Sequence, residues 1–152
     1  MDIPKTVQDI QYVLAPAVMV SSSALLLLGF QNKFSNLANR FRALNHEERL
    51  LQAKPTRDRV EQGRLDNLTE QIRHLIARAK LVKNAILSAY AGIACFSGTS
   101  ILIFVNLYTP VQIWTEISAV FIAGILCVLA SAFFMIGETR LFYRVIDLEN
   151  RS

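Results

Sequence analysis

Apolar positions along this chain follow two different rhythms. Three stretches, residues 10–32, 84–115 and 117–137, are apolar almost throughout and contain no Asp, Glu, Lys or Arg; together they make up 76 of the 152 residues. Between the first two, apolar residues step by alternating fours and threes: Phe30, Phe34, Leu37, Phe41, Leu44 and Leu51, then Leu65, Leu68, Ile72, Leu75, Ala79, Val82 and Ile86, with Glu48 interrupting the first set. The first rhythm belongs to membrane-crossing helices, since roughly 20 uncharged residues at ~1.5 Å rise cross the hydrocarbon layer. The second is the seam of helices packed with a left-handed twist. The pattern predicts an all-α integral membrane protein with three transmembrane helices and a long antiparallel helical hairpin extending into the cytoplasm between spans one and two.

The spans are placed at residues 12–30, 85–108 and 113–136, separated by a basic hairpin over 31–84 and a short turn over 109–112. A leader of 11 residues precedes them and a tail over 137–152 follows. The first span reads as retained and not as a signal peptide. Its leader has two acids against one lysine, its apolar run exceeds the usual ~7–15 residues, and no small-x-small cleavage site follows directly. Span two should end at Thr109-Pro110, because the residue before a proline is driven out of the helical region. Tyr108 and Trp114 then flank the turn at one membrane face, where amphipathic aromatics belong.

The connector is too patterned for a flexible loop. Its apolar positions mirror one another as 30/86, 34/82, 37/79, 41/75, 44/72 and 51/65, each pair centred on residue 58. Lys54-Pro55 should stop the first arm, and Asp58 with Glu61 three residues later forms a capping pair for the second, which is expected to run from about Asp58 to Tyr108. A rival arrangement lays residues 34–51 flat on the membrane with Arg40, Arg42 and Arg49 among the headgroups. The mirrored layers favour the hairpin, since a surface helix has no reason to match its neighbour's period.

Charge sets orientation. Twelve of the sixteen Lys and Arg lie between Lys33 and Lys83 and three in the tail, against one in the leader and none in the turn. The positive-inside tendency therefore places the N-terminus outside and the connector and C-terminus in the cytoplasm. The pI of about 9.3 becomes a topology signal, and nucleic acid is not an expected partner.

No glycine-rich phosphate loop, HExxH, CxxC or Ser/His/acid cluster is present, so no enzyme activity, cofactor or metal is expected. Cys95 and Cys127 read as small packing residues, and His46 and His74 lack further ligands at metal spacing. Pro16 is a candidate helix kink, and Ser21, Ser22 and Ser23 are either helix-to-helix glue or the lining of a pathway. Ala85, Ser88, Ala89, Ala91, Gly92, Ala94, Cys95 and Gly98 set up overlapping small-xxx-small spacings in span two, repeated more weakly by Ala119 and Ala123. Glu116 and Lys83 are candidates for the two mouths of a pathway. Glu138 reads as a solvated rim charge, with Arg40, Arg42, Lys80 and Lys83 as candidate partners; Arg40, Arg42 and Arg78 are candidates for rim pairing or lipid contact.

In the ordered combination of Pro16, Asn39-Arg40-x-Arg42-x-Leu44, Arg78 and Glu138, the chain resembles the bacterial membrane family DUF2721. The supporting segments are APAVMVSSSALLLLGFQNKFSNLANRFRALN, QIRHLIARAKLVKNAILSAY and SAFFMIGETR, so the resemblance covers nearly the whole chain. It implies a multi-pass protein of the bacterial inner membrane with three spans, and supplies no substrate. Two functions follow as expectations. One is a homo-oligomer forming an ion-conducting or small-solute pathway; the alternative is a non-transport scaffold or regulatory subunit whose hairpin binds a cytoplasmic protein or anionic lipid.

Overall fold

The computed structural model describes residues 3–54, 58–109 and 112–149. They form three helices: α1 (Ile3–Gln52), α2 (Arg59–Tyr108) and α3 (Trp114–Glu149). Each contains a segment long and apolar enough to cross a membrane. The connector adds no further element. Its arms are the uninterrupted continuations of α1 and α2, which at 50 residues each are about 75 Å long.

The helix ends have local causes. Glu61 reaches back to accept the Asp58 N–H at 3.4 Å, and its other oxygen takes Lys54 Nζ at 2.5 Å, so one carboxylate organises the start of α2 and ties it to the end of α1. Pro55, the expected stop, lies outside the described residues; α1 ends before it at Gln52. At the other end, Thr109 is extended (φ −117°, ψ 149°), as a residue preceding proline should be. Asn106 Oδ1 then accepts the Ile113 N–H at 3.0 Å across the turn, satisfying a backbone donor at the beginning of α3.

Helix α2 is central and packs on both others. Buried positions recur every seven residues: Pro16, Ser23, Phe30 and Leu37 on α1; Leu68, Leu75, Val82, Ala89, Phe96 and Ile103 on α2; Ile117, Gly124, Ser131 and Glu138 on α3. Seven residues is two turns less about 20°, so such a line stays on nearly one face along the helix. One cluster joins Leu37, Leu75 and Val82 with Phe41 and Leu44; another joins Leu27, Phe30, Ala85 and Ala89 with Ile86 and Phe134. The mirrored pairs 41/75 and 30/86 thus share clusters, and residues 37–44 pack on α2. Glu48, the interruption in the seam, accepts hydrogen bonds from Thr69 Oγ1 and Gln52 Nε2, both at 3.3 Å.

The small residues work chiefly between α2 and α3. A Cβ on Gly92 would stand 2.8 Å from Val128 Cγ2 and 3.2 Å from the Gly124 carbonyl oxygen, and one on Gly124 would stand 2.7 Å from Phe96 Cε1. The two backbones therefore approach as only glycine allows. Gly98 has open space where its Cβ would be, and Ala91, Ala94, Ala119 and Ala123 are exposed, so the expected stripe is narrower on α2 than predicted and on α3 runs through Gly124 instead. Cys95 and Cys127 are half-buried free thiols flanking this crossing.

Candidate functional site

Where the three helices leave the uncharged stretches on the side away from the 109–112 turn, their charges converge. Glu138 lies on the inward line of α3 and is fully buried. Its Oε1 accepts a hydrogen bond from Arg78 Nε at 2.9 Å and is in ion contact with Arg78 Nη2 at 2.8 Å. Its Oε2 is in ion contact with Lys33 Nζ of α1, without a well-directed hydrogen bond. One carboxylate thus binds a cation from each of the other helices. Arg78 is the deeper of the two, its side chain 14% exposed against 36% for Lys33. A buried carboxylate is tolerated only with such partners.

This placement corrects the expectation for Glu138, which is not a solvated rim charge. Arg78 is its partner; Arg40, Arg42, Lys80 and Lys83 are exposed. Lys33 was not among the expected partners. The signal for both was the seven-residue spacing Ile117, Gly124, Ser131, Glu138, which puts Glu138 in the packed line, together with Lys33 as the first charge after span one.

Between the extensions of α1 and α2 lies a groove of about 420 Å³. Its floor is Phe34, Leu37, Ala38, Phe41, Leu75, Ile76 and Ala79, and its charged lining residues are Arg42, Lys80 and Lys83. Arg78 and Lys80 are two residues apart, hence about 200° apart around α2, so Lys80 edges the groove while Arg78 turns toward Glu138. The groove is within the ~300–1,000 Å³ range of small-ligand pockets.

The other predicted residues do not assemble into a site. Ser21 and Ser22 are exposed, each donating its hydroxyl to a carbonyl one turn back, Ala17 O at 3.2 Å and Val18 O at 2.9 Å. Only Ser23 is buried. Three consecutive residues spread over about 200° of a helix, so the serines cannot share one lining. Pro16 is fully buried within a helix assigned continuously through it. Glu116 is exposed in the first turn of α3, where a carboxylate is favoured by the helix dipole. The Tyr12 and Trp114 rings meet in a tilted contact, centroids 5.5 Å apart, so the N-terminal part of α1 sits beside the 109–112 turn. Among the described residues no group of three or more metal-ligating side chains occurs.

Three apolar helices of this length and packing define a multi-span, all-helical membrane protein. Within that class, the chain belongs to the DUF2721 family, described as a protein of unknown function, which matches residues 13–148. No curated protein and no solved structure matches the chain.

Proposed function

We propose that this protein is a non-transport membrane scaffold or regulatory subunit, and that the paired extensions of α1 and α2 form its docking surface on the cytoplasmic side. The observation that carries this reading is the Lys33–Arg78–Glu138 cluster, which fastens both extensions to α3 at the level where they leave the spans. A flexible tether needs no such joint; a surface that must hold its orientation to the membrane does. The fifteen-to-one distribution of Lys and Arg supports the cytoplasmic placement. A pathway receives less support, because Ser21 and Ser22 point outward from the chain's own bundle and any conduit would have to lie between copies.

Amine-labelling kinetics test this reading. Lys80 and Lys83 should be labelled more slowly in native membranes than in delipidated purified protein, with Lys54 at the far tip as the unchanged reference. Equal labelling in both would mean that nothing docks on this face. The same protein in liposomes should pass no ion across a broad panel; conductance would shift the assignment to a pathway between copies.

A further inference from the structure

We infer that the groove between the two extensions binds an anionic phospholipid, its phosphate among Arg42, Lys80 and Lys83 and an acyl chain along Phe34, Leu37, Phe41, Leu75 and Ile76. The inference rests on the docking reading above and gives the ligand a chemistry. Charge is the first ground. Three of the ten lining residues are cationic and none is acidic. Arg42, Lys80 and Lys83 form no ion pair among the described residues, a property shared by Arg40, Arg49, Arg59 and Arg140; what sets the three apart is that they edge one apolar trough. An apolar trough edged by cations without counter-ions suits a molecule with an apolar body and an anionic head.

Position is the second ground. Lys83 directly precedes the uncharged stretch of α2, and Phe34 follows the first charge after that of α1. The groove therefore starts where the hydrocarbon ends. It covers nine residues of each helix, about 13 Å at 1.5 Å per residue, so its near half lies within a headgroup layer ~5–7 Å thick. Basic pockets at this level beside a span are suited to lipid headgroups. Neither Arg78 nor any residue of α3 lines the groove, so α3 does not cover it. An acidic amphipathic helix would satisfy the charges, but would have to enter the headgroup layer to reach Lys83, where lipid is already present.

Native mass spectrometry of the full chain in mild detergent tests the inference, with phosphatidylglycerol, phosphatidylcholine, glycerol phosphate and an acidic amphipathic peptide as probes. Phosphatidylglycerol should bind about tenfold tighter than phosphatidylcholine, and glycerol phosphate should not compete. Replacing Arg42, Lys80 and Lys83 together by glutamine should abolish the preference, and Ile76→Trp, which fills the groove with the cations intact, should weaken both lipids. Arg59→Gln with Arg140→Gln, outside the groove, should change neither; helix content by circular dichroism verifies the fold of each variant. Equal binding of the two lipids by the unaltered chain overturns the inference, as does equal loss in the control pair or tighter binding of the peptide or glycerol phosphate. Protection of Lys80 and Lys83 in membranes without this lipid preference would leave the docking reading standing and remove the lipid from it.

Discussion

Burying the Glu138 carboxylate is costly, and its two cations are what offset the cost. Arg78→Ala should lower stability by about 3 kcal/mol or more, because it strips the hydrogen bond and the guanidinium charge from a fully buried carboxylate. Lys33→Ala should cost less, since its ammonium is partly solvated and makes no directed hydrogen bond to Oε2. Thermal unfolding midpoints in detergent check the order; equal effects would mean that the cluster is not asymmetric. Replacing all three residues by apolar ones of similar size should be far milder than Arg78→Ala, since no charge is then left unpaired. Gly124→Ala should also destabilise, by about 1–3 kcal/mol, because Phe96 stands where the methyl must go. Gly98→Ala should be neutral or stabilising, with open space at its Cβ.

At the scale of the elements, what could be read from the sequence depended on the solvent. In the extensions, water contrasts with the core, so the apolar steps identified the packed face, and Phe41 and Leu75 do share a cluster. Within the spans, lipid is as apolar as the packed interface, so hydropathy finds the helix and cannot say which side faces its neighbour. Hence Ala119 and Ala123 look no worse than Gly124 in the sequence, and Glu138 reads there as a rim charge although its side chain is buried. Helix ends were legible because Asp58, Glu61 and Thr109-Pro110 act locally; Asn106 closing the turn onto Ile113 was not, since it depends on the approach of two helices. The continuity of α1 and α2 has its own expected outcome. Amides of the buried seam at Leu37, Leu75 and Val82 should exchange slowly with deuterium, while those of residues 52–54 at the tip exchange fast. Fast exchange at Leu37 and Val82 would mean that the extensions are hinged to the spans.

For the whole molecule, the geometry fixes which ends lie together and charge must choose their side. The contact of Tyr12 with Trp114 puts the N-terminal part of α1 beside the turn, and the Lys33–Arg78–Glu138 cluster marks the opposite rim. With three antiparallel crossings, a single charge asymmetry then orients everything, and the basic extensions carry it. In a background with Cys95 and Cys127 replaced, a cysteine at Thr109 should react with an impermeant thiol reagent in intact cells. One at Asp58, at the start of α2, should react only after the membrane is opened. The reverse pattern would place the extensions outside, where Arg42, Lys80 and Lys83 would no longer face the leaflet richest in anionic lipid. The proposed orientation and the proposed lipid site are therefore linked, because three of the cations in the asymmetry that argues for a cytoplasmic connector also edge the groove.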